Sequence, residues 1–188
     1  MRPEAEKELV RECKSGKTRS FAPLVQAYEG PGMRVALGMM GNAEDARDAL
    51  QQAFVKAWKS MDRFDSARRF GPWFFQILRN QCRDALRTRA ARFKMEVLDE
   101  RMDQLPAGSE SGPERKRMRK AAQELLWKGL GSIAEDHREI LVLKEIEGFR
   151  YSEIAEVLNI PDGTVASRLY HARRALKQAL ESMSAAYP

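Results

Sequence analysis

The chain has 188 residues, 43% of them hydrophobic and 32% charged, with 33 Lys and Arg against 27 Asp and Glu and a net charge of +6. That length holds one large or two small domains with modest cores, and the cationic excess favours a polyanionic partner over a small-molecule substrate. No apolar run approaches the ~20 residues a membrane span needs, the opening Met-Arg-Pro-Glu-Ala-Glu-Lys-Glu has no apolar segment of the signal type, and Cys13 and Cys82 lack the paired spacing of a metal or redox centre, so the chain is expected in the cytoplasm, not inserted in a membrane, with no cofactor.

From Glu4 to Lys94 the pattern is helical almost throughout. Phe21, Leu24, Val25 and Tyr28 form one apolar stripe. Gly30-Pro31-Gly32 predicts a break, after which Met33 to Met40 reads as a short apolar helix closed by Gly41-Asn42. The next helix repeats Ala46, Ala49, Leu50, Ala53, Phe54, Ala57, Trp58 and Met61 at alternating steps of three and one, an uninterrupted buried face. Its opposite face carries Arg47, Asp48, Gln51, Gln52, Lys56 and Lys59. A polar loop, Asp62 to Arg69, leads to a helix striped by Phe70, Trp73, Phe74, Ile77, Leu78, Cys82, Ala85 and Leu86, with Pro72 in its tolerant first turn. Toward its end Arg79, Arg83, Arg87, Arg89, Arg92 and Lys94 are opposed within that helix only by Asp84, more cations than a helix dipole calls for. They read as a track for a nucleic-acid backbone.

Residues 96–120 are rich in Pro, Gly, Ser and mixed charge and read as a flexible linker between a domain at 1–95 and another at 121–188. The second domain opens with a helix marked by Leu125, Leu126, Leu130 and Ile133, followed by one with Ile140, Leu141, Leu143 and Ile146 that ends at Gly148. Tyr151 to Tyr170 then has the form of a helix-turn-helix. Ile154 and Leu158 stripe its first helix and Ala155 is small enough for a close crossing. Asn159 suits a left-handed end, and Ile160-Pro161 stops continuation. Asp162 or Thr164 is expected to cap the second helix, whose buried edge is Val165, Leu169, Ala172 and Leu176. Ala166, Ser167, Arg168, Tyr170, His171, Arg173, Arg174 and Lys177 are left outward, a basic, hydrogen-bonding face of the kind that reads a major groove. The expected fold is all-α, two small helical bundles joined by the linker.

Two runs carry a family resemblance. Asp45-Ala-Arg-Asp48-Ala-Leu-Gln51-Gln-Ala-Phe54-Val-Lys-Ala-Trp58, followed by Phe64, Phe70, Trp73 and Ile77-Leu-Arg-Asn80, resembles the second conserved region of bacterial sigma factors, and the C-terminal half resembles the fourth. In this order and spacing the chain resembles the extracytoplasmic-function group of the sigma-70 family. The resemblance implies a non-catalytic initiation subunit that binds core RNA polymerase, recognises two elements of promoter DNA and helps open the duplex, restrained by an anti-sigma factor. It places polymerase binding on Asp48, Gln51 and Gln52, where the family commonly has an acidic residue at the position of Gln52. It assigns the minus-ten element to Phe64, Asp65, Ser66, Arg68, Arg69, Arg79, Asn80 and Arg83, a set with an aromatic wall, an amide and cations for capturing an unstacked base. Phe64 fits a pocket wall or a plug in the core; Trp73 fits the core. The minus-thirty-five element falls to Thr164, Ala166, Ser167, Arg168, Tyr170, His171 and Arg174, with Ala166 and His171 standing where the family usually has basic residues.

The rival classes are an enzyme and a stand-alone regulator. The two histidines, His137 and His171, are accompanied by no phosphate loop, zinc motif or nucleophile elbow. A polymerase-independent helix-turn-helix regulator normally dimerises on paired half-sites, and this chain has no evident dimerisation helix.

Overall fold

The computed structural model describes residues 1–95 and 124–185, with side chains over 1–90 and 124–184. The linker expected at 96–120, and the side chains of Arg92 and Lys94, lie outside the described residues. All regular structure among the described residues is helical: α1 (Pro3–Lys14), α2 (Phe21–Met40), α3 (Ala43–Lys59), α4 (Phe70–Met95), α5 (124–132), α6 (Glu135–Leu141), α7 (Tyr151–Leu158) and α8 (Asp162–Ala185).

The expected break at Gly30-Pro31-Gly32 does not occur; α2 runs through Pro31. A proline removes one intrahelical bond, about 3 kcal/mol in a helix interior, and here apolar burial around it offsets that loss. Leu24, Val35, Ala36 and Met39 are all buried. Gly32 serves packing, not a turn, since a Cβ there would lie 2.6 Å from Leu50 Cδ1 of α3. The true end of α2 is Gly41, left-handed at φ 78°, whose N–H donates to the Leu37 carbonyl at 2.9 Å. Asn42 then caps α3, its Oδ1 accepting from the Asp45 N–H at 2.8 Å.

α3 buries Ala46, Ala49, Ala53 and Ala57, small residues that let it lie close to α2 and α4. The volume they leave is filled by aromatic rings from α4. Phe70, Phe74 and Phe75 are almost fully buried, with Phe54 stacked on Phe74 at 4.6 Å and Tyr28 edge-on to Phe70 at 5.3 Å. Each such ring contributes about 1.5–3 kcal/mol by leaving water. α1 holds the start of α4 in place: Glu6 accepts from the Phe70 N–H at 3.2 Å and from the Tyr28 hydroxyl. Burial raises the Tyr28 pKa, and its bond to Glu6 adds to the shift.

In the C-terminal half, α6 passes into one π-helical turn, Val142–Ile146, which Gly148 ends at φ 68°. The helix-turn-helix forms as its residues predict. Asn159 is left-handed at φ 53°, the Ile160 N–H returns to the Ala155 carbonyl at 3.0 Å, and Ile154, Val157, Leu158, Val165, Leu169 and Ala172 close the core. The capping differs from expectation. Asp162 is itself the first residue of α8, and the Thr164 N–H bonds to the Pro161 carbonyl at 2.9 Å, so neither side chain takes the cap position. At α7 the cap is one-sided: the Glu153 carboxylate accepts from the Arg150 N–H at 2.9 Å, while the Arg150 guanidinium has no acceptor to return a bond.

The two bundles are not apart. α7 lies on α4, while α6 and the π turn lie on α2, and the buried side chains of both halves form one cluster. Gly38 makes the approach possible: a Cβ there would meet the Val142 methyls at 2.7 and 2.9 Å. Phe75 of α4 meets Phe149 edge-on at 4.9 Å.

Candidate nucleic-acid interface

The loop before α4 is shaped by its own polar groups. A single 3-10 turn, Met61–Arg63, delivers Phe64 in an extended conformation, and Asp65 Oδ1 then accepts from the Ala67 N–H at 2.9 Å, an Asx turn. Lys14 Nζ, from α1, donates to the Phe64 carbonyl at 2.7 Å and to Ser66 Oγ at 3.4 Å. Phe64 is 3% exposed and lies 4.5 Å from the Trp73 ring, so in this conformation its faces belong to the core and offer no wall for a base. Asp65, Ser66, Arg68, Arg69 and Asn80 are exposed, and Arg79 and Arg83 are partly buried one turn apart on α4.

The arginines of this set are already engaged. Arg68 donates through Nε and Nη2 to Glu156 of α7 at 3.1 and 2.8 Å. Arg69 pairs with Glu153, one turn earlier on α7. Arg79 meets Glu139 of α6 at 2.8 Å. Arg83 pairs with Glu135, with Asp136 at 3.0 Å and with Glu139 at 3.3 Å. Of the further cations that α4 seemed to leave opposed only by Asp84, Arg87 does face Asp84, at 3.9 Å, but Arg89 reaches Asp45 of α3 at 3.1 Å.

Glu139 is the most constrained member. It is 1% exposed, the one charged residue buried as a whole among the described residues. Burial raises its carboxyl pKa, against the opposing pull of Arg79 and Arg83. A buried charge is tolerated where partners replace lost water; here Arg79 donates to Oε2 at 2.8 Å, while Oε1 has no hydrogen-bond partner and only the Arg83 charge 3.3 Å away. Cys82, on the same stretch of α4, has its thiol pushed up to about 12 by burial and by the Glu139 charge, which makes it a core residue and not a nucleophile.

The outer face of α8 is different. Ala166, Ser167, Tyr170, His171 and Arg174 are exposed and Thr164 and Arg168 partly so. Tyr170 is 62% exposed, and the His171 ring stands edge-on to it at 5.4 Å. Among the described residues Arg168 and Arg174 have no ion-pair partner, whereas Arg173 is held by Glu145 at 2.7 Å and Lys177 lies 3.6 Å from Glu181. Two arginines without ion-pair partners and one aromatic ring on an exposed helix face can reach base edges and phosphates alike.

A third face lies on α3, where Asp48, Gln51 and Gln52 are exposed and followed one turn later by Val55, 41% exposed. The sequence pattern singled out the three polar residues but missed Val55, which adds an apolar contact to the same strip.

The residues that sequence reasoning missed outright are the carboxylates that meet the arginines: Glu135, Asp136 and Glu139 on α6, and Glu153 and Glu156 on α7. Their signal was present, because spacings of three and four place each set on one helical face. Helical spacing does not reveal what that face meets.

Comparison with known proteins agrees with the two halves. Residues 24–92 match the family described as Sigma-70 region 2, and residues 123–176 match Sigma-70, region 4. The chain is 28% identical over 182 residues to the ECF RNA polymerase sigma factor SigW of Bacillus subtilis, covering 94% of this chain and 97% of that protein. It is 29% identical over 185 residues to the RNA polymerase sigma-H factor of Pseudomonas aeruginosa, covering 96% of each. Among solved structures, CnrH in complex with the cytosolic domain of CnrY matches with a TM-score of 0.69 at 29% identity, over 95% of this chain and 98% of that one.

Proposed function

The chain belongs to the sigma-70 family, in its extracytoplasmic-function group, and on that premise we propose that it directs core RNA polymerase to promoters carrying a minus-ten and a minus-thirty-five element and assists in opening the duplex. The observation that carries this reading is the joint presence of two sigma regions, in order, on one helical chain whose outer α8 face is basic and presents Arg168 and Arg174 without ion-pair partners among the described residues. The family is not an enzyme class, and the proposal assigns no chemical step to this chain. Among the described residues no helix is long and apolar enough to cross a membrane, and the working site is the cytoplasm, where core polymerase is found.

The division of labour follows the chain. Residues 1–95 bind polymerase through Asp48, Gln51 and Gln52 and the minus-ten strand through the loop after Phe64 with Asn80 and the α4 arginines. Residues 121–188 read the minus-thirty-five duplex with α8. Asn80 is exposed between Arg79 and Arg83, so its amide can bond a base edge while the cations hold phosphates. An anti-sigma factor restrains the protein; the similarity to CnrH, solved with the cytosolic domain of CnrY, supports a bound protein partner of that kind.

The test is transcription from a pooled genomic promoter library by purified core polymerase, with and without this chain, followed by sequencing of transcript starts. New starts sharing two spaced upstream motifs are expected, and their absence with folded, inhibitor-free protein would overturn the reading in favour of a polymerase-independent regulator. Asp48→Arg with Gln51→Ala should weaken polymerase binding at unchanged thermal stability. Unaltered binding would remove α3 as the docking face.

A further inference from the structure

The loop assigned above to the minus-ten strand is held from outside, at both of its ends, by one helix. Its exposed residues, 65–69, run between two buried aromatic rings, Phe64 and Phe70, which meet edge-on at 6.1 Å. Burial of the rings anchors the side chains but leaves the peptide groups beside them in need of partners. α1 supplies both, each with the matching charge. Lys14 Nζ donates to the Phe64 carbonyl at 2.7 Å and reaches Ser66 Oγ at 3.4 Å, while the Glu6 carboxylate accepts from the Phe70 N–H at 3.2 Å. Glu6 is itself fixed by the Tyr28 hydroxyl, for which Gly71 leaves room, since a Cβ there would lie 2.9 Å from that oxygen. Glu6, Val10 and Lys14 follow one another at four-residue steps along one side of α1, and the burial of Val10 seats that side.

We infer that α1 is the template of the minus-ten loop, with Lys14 and Glu6 as positioning residues that set its backbone and through it the bases the loop accepts. The inference rests on the reading of this loop as a strand contact and adds the residues that decide its geometry. Within the loop, Asp65 accepts from the Ala67 N–H through Oδ1 at 2.9 Å and from the Arg68 N–H through its carbonyl at 3.0 Å. These bonds close the turn but do not fix its direction relative to α4, which takes contacts from a separate element. Lys14, Glu6 and Tyr28 all belong to the N-terminal half, so their hold on the loop is independent of the pairing of Arg68 and Arg69 with α7. Lys14 is partly buried with its ammonium turned to the loop backbone, a different placement from a cation left open for phosphate. Recognition of an unstacked base requires donors and acceptors held to within about 0.5 Å by supporting contacts, and a loop released at one end discriminates less. α1 precedes residues 24–92, the stretch that matches Sigma-70 region 2, so a change at position 6 or 14 can alter base preference with the loop itself unchanged.

The test uses the full chain assembled with core polymerase and a pool of single-stranded DNA of random sequence. Bound and unbound strands are sequenced well below the lowest thermal midpoint of the set, with core polymerase alone as background. Lys14→Met keeps the apolar stem and loses the donor, Lys14→Arg keeps a donor, and Lys7→Met removes the same charge at an exposed position of α1. The unmodified chain should enrich a short motif. Lys14→Met should lower that enrichment about tenfold, the scale of one hydrogen bond from a charged donor, while binding the pool as a whole no more weakly than Lys7→Met does. Lys14→Arg should restore the motif. Glu6→Gln, which retains an oxygen for the Phe70 N–H, should keep it too, and Glu6→Met should flatten it. Amide exchange over residues 64–70 of the free chain should be faster in Lys14→Met than in Lys7→Met. No motif from the unmodified chain would overturn the minus-ten assignment, and the inference with it. A motif left as sharp by Lys14→Met as by Lys7→Met would overturn the role of α1 alone. So would a loss uniform across sequences with a shallower salt dependence, which would make Lys14 a phosphate contact.

Discussion

The arginines beside α4 and those on the outer face of α8 carry the same guanidinium group into opposite surroundings. Arg79 and Arg83 are partly buried and meet carboxylates from another helix at 2.8–3.3 Å, whereas Arg174 is exposed and, with Arg168, has no ion-pair partner among the described residues. The first set has given up water and depends on its partners; the second has not. An unpaired solvated cation costs the fold nothing and stays available to an outside polyanion, while a desolvated one holds the two halves together and penalises the loss of its partner.

The sharpest way to break this comparison is to remove the partner. Glu139→Ala leaves Arg79 unpaired at a partly buried interface and takes from Arg83 one of its three carboxylate partners, and it is expected to cost about 3–5 kcal/mol in urea unfolding, against a change within about 0.5 kcal/mol for Arg174→Ala. Equal effects would mean that the interface adds nothing to stability. Gly38→Ala probes the packing beneath the charges. Its new methyl would meet Val142 at 2.7 and 2.9 Å, and overpacking of this kind costs about 1–3 kcal/mol, here by loosening α2 from the π turn; unchanged stability would show that the halves are not closely seated. On the open face, Arg168→Ala should lower discrimination between promoter and unrelated duplex by about 1–3 kcal/mol if it contacts a base. A loss uniform across sequences would make it a phosphate contact instead.

The smallest effect is in pH. Burial raises the Glu139 pKa above its ordinary 4.5. A carboxyl that binds its proton more tightly in the folded state than in the unfolded one contributes fully below pH 4.5, and that contribution is lost as the pH rises through the folded value. The difference in urea midpoint between the unmodified chain and Glu139→Gln should therefore fall with rising pH across that window. A difference independent of pH, or one rising with it, would show that the two arginines outweigh burial.

Much of the fold is legible in the chain because its signals are local. The alanine-rich repeat of α3, Gly41-Asn42 at the turn and Asn159 before Ile160-Pro161 each act within a few residues, and each stands where its pattern indicated. Gly30-Pro31-Gly32 misled because propensity is a weak local preference, whereas the burial of Leu24, Val35 and Met39 on one continuous helix is a larger collective gain. Phe64 shows the same limit at the candidate site. Its type and position suit either a pocket wall or a core plug, and only the approach of Trp73 and Phe70 from α4 chose the core in this conformation.

The sequence by itself determined an all-helical chain, its helix-turn-helix, the basic face of α8 and the resemblance of both halves to sigma regions, since helical periodicity, caps and motifs are read from neighbours along the chain. Only the tertiary structure decided that the arginines of α4 and its loop are met by acids far along the chain, Arg83 by Glu135 at 52 residues' remove and Arg68 by Glu156 at 88. A charge pattern specifies what a face can bind, but which partner reaches it depends on how the helices pack, and helical spacing carries no information about that.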